Sequence, residues 1–310
     1  MSTCLPPSLP SSSSSVPTAV GKTETAIQLA ERLNGEIVSA DSRTFYKGMD
    51  IGTAKPTAKE RARVPHHLID VSEPDQVLSL ASFQELAYAA IDNIHARGKL
   101  PLLVGGTGQY VHAITEGWII PPQDPDTRLR AVLEHWADEI GGERLHAGLA
   151  KLDPEAAARI DWRNVRRTVR ALEVVFRSGQ RFSDQGQRGQ ARYECLIVGL
   201  IRPRPELYAR IDARIDEMIG AGWVEEVEEL LARGFSKKLP SLSAIGYREL
   251  ISYVEGKLLL EDAAVLIKRK TRQFVRRQAN WFKANDPSIQ WFQAETDAVD
   301  KIFEYISAII

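Results

Sequence analysis

The sequence predicts an α/β protein: a parallel sheet flanked by helices, interrupted by an all-helical insertion. Three observations predict this. Apolar, strand-like runs alternate with helix-periodic ones between residues 35 and 104. Such alternation produces parallel strands, because each helix carries the chain back to the same end of the sheet. After Gly117 the character changes, and residues 128–177 are helix-periodic with little strand signal. Residues 193–200 (YECLIVGL) then return to strand. The expected organisation is a core of residues 16–116 and 191–310, with 117–190 as a helical insertion.

Composition agrees with a globular chain. The 310 residues are 44% hydrophobic and 26% charged, which excludes collagen-like, disordered and disulfide-stapled classes. No apolar run reaches the ~20 residues a membrane helix needs. Cys4 and Cys195 are the only cysteines, too few for a disulfide framework and suited to a reducing, cytoplasmic setting. The 40 basic residues balance 41 acids, so net charge alone does not point to nucleic acid.

Taken in order, residues 1–15 (MSTCLPPSLPSSSSS) carry no charge and few apolar side chains. A disordered tail is expected there, because little apolar surface can be buried to offset ordering. The tract lacks the basic and apolar regions of a secretory signal.

Residues 16–23 (VPTAVGKT) hold the end of a phosphate-loop pattern, with Gly21, Lys22 and Thr23 in place. Glycine admits close backbone approach to phosphate, lysine supplies charge, and the threonine hydroxyl suits Mg²⁺. Thr18, Ala19 and Val20 complete the candidate phosphate loop. Its first glycine is replaced by Val16, and no apolar strand precedes it. Residues 22–33 are periodic and helical, which would aim helix N-terminal amides at an anion.

Residues 35–40 (GEIVSA) read as a strand delivering Asp41, and residues 100–104 (LPLLV) as another ending in Gly105-Gly106-Thr107-Gly108. The intervening 80–96 is helical. Ligands of parallel sheets bind beyond the carboxyl ends of the strands, so Lys22, Asp41 and Thr107 should converge. Asp41 is a candidate general base and Thr107 a candidate donor to an oxyanion. Residues 46–56 (YKGMDIGTAKP) read as a long loop, and Asp70 could supply a metal-holding acid. The pair His66-His67 lacks further ligands at zinc spacing and reads as structural or substrate-flanking.

Two stretches are basic. Residues 163–181 hold six Arg and one acid; residues 268–283 hold seven basic residues and no acid. Arg163, Arg166, Arg167 and Arg170 fall on adjoining helix faces, and Arg269, Arg272 and Arg276 share one face. Such segregated charge suits a phosphate backbone. Between the stretches, 204–235 is helical with Arg210 and Arg214, and 243–248 (SAIGYR) marks a loop-to-helix junction. A short strand at 288–292 and an amphipathic helix close the chain.

The ordered series PTAVGKT (17–23), ADSR (40–43), YKGMDIGTAKP (46–56), VPHHLID (64–70), LVGGTG (103–108), RALEV (170–174), GYREL (246–250) and TRQ (271–273) resembles the bacterial tRNA dimethylallyltransferase family. The resemblance implies a phosphate-loop NTPase type of sheet. It also implies transfer of a dimethylallyl group from its diphosphate to N6 of adenosine 37, in tRNAs that read codons beginning with U. Mg²⁺ would assist.

By the family pattern Asp41 accepts the amine proton, Thr107 contacts the bridging oxygen, and Arg214 holds diphosphate alongside Lys22 and Thr23. The same pattern implies tRNA contacts at Asp41, Ser42, Arg43, Thr44 and Thr107, and at Arg128, Arg166, Arg167, Thr168, Val169 and Arg170. It adds Ser243, Ala244, Ile245, Gly246, Tyr247 and Arg248, then Arg276, Arg277 and Lys283. The expected partners are the tRNA anticodon stem-loop and dimethylallyl diphosphate, with no membrane and a monomeric state. Two departures stand out: Thr44 replaces the family's glutamine, and Val16 replaces a glycine. A tRNA-binding homologue impaired by that loop, and a phosphate-loop kinase or NTPase, stay open as alternatives.

Overall fold

A computed structural model describes residues 2–5, 12–15, 20–120, 126–184 and 189–310, with backbone alone for the first two segments. The chain divides into two compact units, 1–117 with 191–310, and 118–190.

The first unit contains a seven-stranded sheet of β1 (Ser2–Leu5), β2 (Ser12–Ser15), β3 (Gly35–Ser39), β4 (His66–His67), β5 (Leu100–Gly105), β6 (Glu194–Ile201) and β7 (Ile289–Gln293). Strand order is β4-β3-β5-β2-β1-β6-β7. All described pairings are parallel except those of β1, which runs antiparallel to β2 and β6.

The helices before the insertion are α1 (Lys22–Arg32), α2 (Ala58–Arg63), α3 (Leu80–Ala96) and α4 (Gly108–Thr115). The insertion contributes α5 (Thr127–Ile140), α6 (Gly142–Leu152), α7 (Pro154–Arg159) and α8 (Val165–Ser178). Helices α9 (Arg204–Gly220), α10 (Trp223–Ala232), α11 (Tyr247–Val254), α12 (Leu260–Gln278) and α13 (Ala298–Ser307) follow it.

Strand side chains alternate between faces, and the register of β3 on β5 makes this explicit. Ile37 opposite Leu102 joins one buried cluster with Ile27 and Leu29 of α1 and Ile302 of α13. Val38 opposite Leu103 joins another with Phe83 and Ile91 of α3. The sheet is therefore covered on both faces, as parallel sheets require. Unit two has its own core, in which Leu133, Leu145, Leu149, Val169 and Leu172 pack together.

The N-terminal tract differs from expectation. Residues 2–5 and 12–15, expected in a disordered tail, form strands of the sheet. Ser14 pairs with Val104 and Ser15 with Gly105 in parallel register. The physical reason lies in the backbone: β5 and β6 present rows of N–H and C=O groups that any chain can pair, whatever its side chains. The phosphate loop thus does follow a strand, although a serine-rich one. Val16, Thr18 and Ala19 lie outside the described residues.

Candidate active site

The carboxyl ends of the strands build the site. Gly21 adopts φ of +110° and caps α1, a left-handed conformation that glycine takes without strain. Lys22 and Thr23 then open the helix. Strand β3 ends at Ser39 and delivers a hydrogen-bonded turn. The amide of Arg43 donates to Asp41 Oδ1 at 3.0 Å, and Thr44 Oγ1 donates to the Asp41 carbonyl at 3.1 Å. The amide of Ser42 donates to Thr107 Oγ1 at 3.3 Å, which ties this turn to the glycine loop after β5. Gln278 of α12 secures that loop by donating to the Gly106 carbonyl at 2.9 Å.

Two adjoining cavities of about 560 and 570 Å³ open here. Asp41, Thr53, Ala54 and Arg214 border both. The second also contains Gly21, Lys22 and Thr23, and the first contains Thr107, Gln109, Ser243 and Arg277. Helix α9 divides its faces between them. Arg210, Arg214 and Glu217 border the Lys22 cavity; Ile211, Ile215 and Met218 border the Thr107 cavity. The helical repeat produces this split, since residues three and four apart share a face.

Burial lowers the Lys22 ammonium to about 8, against the favourable charge of Asp41 and with a further unfavourable contribution from Arg214. Burial likewise lowers Arg214, again opposed by Asp41. Two half-buried cations beside the N-terminus of α1 give this cavity the character of an anion site. An oxygen-seeking cation fits beside it through the Thr23 hydroxyl. Among the described residues no cluster of three His, Cys, Asp or Glu side chains could hold a metal unaided. Substrate phosphate oxygens would have to complete its ligand set.

Several expected residues occupy other roles. Asp70 is engaged by Lys55 at 2.5 Å and Arg61 at 3.0 Å, so it is committed to holding the 46–56 loop. His67 bonds Glu36 at 2.8 Å. His66 borders the Lys22 cavity, its Nδ1 donating to the Val64 carbonyl at 2.8 Å. Thr44 is buried and bonds Ser39 at 2.8 Å, so its hydroxyl shapes the Asp41 turn instead of offering an RNA contact. Tyr247 is fully buried with its hydroxyl on Glu226. Val20 is buried as well. Arg43 reaches the Pro240 and Ser241 carbonyls at 3.0 and 3.2 Å. Gly246 and Ala244 are buried, Ile245 is half-buried, and Arg248, Arg276, Arg277 and Lys283 are exposed.

The basic run of α12 is partly neutralised within the first unit. Lys268 pairs with Asp216, Lys270 with Glu249 and Arg272 with Asp212. Acids of α9 and α11 thus meet half of a stripe that looked acid-free along the chain. In the second unit Arg128, Arg166 and Arg167 are exposed, whereas Thr168 and Val169 lie in its core. Arg170 and Arg130 bond the buried Glu173, each at 2.8 Å. Arg210 and Glu217 were missed as site residues; their spacing with Arg214 on one helix was the available signal.

A profile of the IPP transferase family matches residues 44–285. The chain belongs to this family. It is 53% identical to the tRNA dimethylallyltransferase of Roseiflexus sp. (strain RS-1), covering 86% of this chain and 88% of that one. Among solved structures it resembles the full-length tRNA isopentenylpyrophosphate transferase of Bacillus halodurans. That match has 40% identity, covers 96% of both chains and has a TM-score of 0.69. A eukaryotic dimethylallyltransferase acting on tRNA superposes with a TM-score of 0.78 at 26% identity, over 96% of this chain and 81% of that one. Members of this enzyme family are prenyltransferases with a phosphate-loop NTPase-like sheet, the fold class expected from the alternating strands and helices.

Proposed function

We propose that the chain transfers a dimethylallyl group from dimethylallyl diphosphate to N6 of adenosine 37 in the tRNA anticodon stem-loop. The observation that carries this is the paired cavity: a cationic diphosphate site and an apolar-walled chamber joined at Asp41 and Arg214. The allylic carbon–oxygen bond breaks as the N6–carbon bond forms, diphosphate leaves, and the N6 proton passes to the Asp41 carboxylate. Charge develops on the departing diphosphate, where Lys22, Arg214 and the α1 amides stabilise it. The Thr107 hydroxyl borders the apolar-walled chamber and accepts the Ser42 amide, and it is the proposed donor to the bridging oxygen. Mg²⁺, when bound with Thr23, would neutralise further diphosphate charge.

The adenine must leave its stack to reach Asp41, as base-modifying enzymes require. Arg277, Trp281 and Gln109 border the same chamber and offer a cation, an aromatic face and an amide to an extruded base. The exposed Arg128, Arg166 and Arg167 of the insertion, with Arg276, Lys283 and Arg248, are the proposed phosphate-backbone contacts. Action on tRNA makes the cytoplasm the proposed location, and the chain acts as a monomer.

The test combines purified chain, dimethylallyl diphosphate and an anticodon stem-loop RNA carrying adenosine 37. A single N6-prenylated adenosine, detected by mass, is the expected product. Nucleotide hydrolysis without prenyl transfer would favour a kinase or NTPase, and RNA binding without diphosphate binding an impaired homologue.

A further inference from the structure

The Thr107 chamber has an apolar portion in its lining. Ile211, Ile215 and Met218 come from one face of α9, and Ala244 and Ile245 from the segment before α11. The largest buried member is Trp223, the first residue of α10, 2% exposed. Its indole fills the space between two backbones. A Cβ placed at Gly52 would meet Trp223 Nε1 at 2.0 Å, and one at Gly246 would meet Trp223 Cη2 at 2.0 Å. Gly246 also sits at φ of +98°. Both glycines border or adjoin the chamber, and both are required by the ring they enclose. Trp223 Nε1 is buried and has no hydrogen-bond partner, so only packing holds the indole in place.

We propose that Trp223 determines prenyl chain length, limiting the donor to five carbons. This rests on the reading of the chamber as the dimethylallyl site. The diphosphate anchor is fixed by Lys22, Arg214 and the α1 amides, so a longer chain can extend only into the apolar portion of the chamber. There the indole occupies space that a second isoprene unit would need. An indole outsizes an isoprene unit, and overpacking a closed apolar site is strongly unfavourable. Replacing the ring with a small apolar residue vacates that space and leaves no hydrogen-bonding partner unsatisfied.

The test measures kcat/KM with an anticodon stem-loop RNA for dimethylallyl and for geranyl diphosphate, in the wild-type chain, Trp223→Ala and Trp223→Leu. Wild type is expected to use geranyl diphosphate at least about 100-fold less well than dimethylallyl diphosphate. In Trp223→Ala the geranyl-to-dimethylallyl ratio is expected to rise about 10-fold or more, with a smaller rise in Trp223→Leu. Leucine refills more of the vacated space than alanine and is the variant expected to fold should alanine fail. A merely structural tryptophan would lower both rates and leave their ratio unchanged, and that result in either folded variant overturns the proposal. Transfer of dimethylallyl by wild type with an unmoved ratio refutes the inference alone. Absence of that transfer refutes the functional reading as well.

Discussion

Glu226 accepts the Tyr247 hydroxyl at 2.6 Å, and the same carboxylate accepts the amides of Asp50, Ile51 and Gly52 at 2.7, 2.6 and 3.1 Å. One side chain of α10 thus anchors the loop whose next residues, Thr53 and Ala54, border both cavities. Burial first, and then the Glu226 charge and hydrogen bond, push the Tyr247 hydroxyl well above its ordinary value, so it remains a donor at every working pH. Glu226→Gln would turn amide protons toward amide donors, at a cost of about 1–3 kcal/mol. Tyr247→Phe should cost about 0.5–1.5 kcal/mol. Denaturant unfolding of the two variants measures this order.

Lys22 supplies a pH dependence. Its folded value of about 8 lies below its ordinary 10.5 because the ammonium is buried. On the proposed reading diphosphate binds the charged form, so its affinity should fall as pH rises through about 8. The stability of the ligand-free protein runs the opposite way. Between 8 and 10.5 the unfolded chain holds the proton that the folded one has released, so stability rises with pH. Calorimetric titration with inorganic diphosphate, and thermal unfolding with and without it, would show the two opposed slopes.

Asp41 is expected to be essential for chemistry and dispensable for RNA binding. Its Oδ1 accepts the Arg43 amide, and it borders both cavities. Asp41→Ala should lower kcat by about 10²–10⁴-fold while the stem-loop dissociation constant changes little. A variant that retains transfer would remove Asp41 as the base.

These residues show how far the sequence carries. Strands β3, β5 and β6 are legible because they are apolar runs, and Lys22, Asp41 and Thr107 because they stand at strand ends or a helix start. Strand β1 and the serine-rich β2 are illegible, since backbone pairing in a central slot leaves no side-chain pattern. Thr44 and Tyr247 fall within motif runs that read as RNA contacts, but motif position does not report burial. The pairing of Arg272 with Asp212 and Lys268 with Asp216 joins residues more than fifty positions apart, beyond any local count of charge. The double face of α9 was present in its spacing, but only the position of the two cavities gives each face its meaning.

Glu36 governs acid stability at the opposite end of β3. Arg97 first, then Lys99 and His67, hold its buried carboxylate well below the usual range, against the desolvation that opposes them. A depressed folded value stabilises above the unfolded value near 4.3 and is lost as pH falls below it. Glu36→Gln should therefore reduce stability at pH 7 by about 1–3 kcal/mol, since its half-exposed partners can still reach water. It should also flatten the acid limb of a stability–pH curve, which chemical unfolding between pH 3 and 7 would record.

Mass spectrometry of tRNA from a prenylation-deficient host expressing this chain tests the central claim most directly. The account predicts N6-dimethylallyladenosine at position 37, absent when the host expresses Asp41→Ala. Unmodified adenosine 37 in a host that accumulates the folded wild-type chain would contradict it.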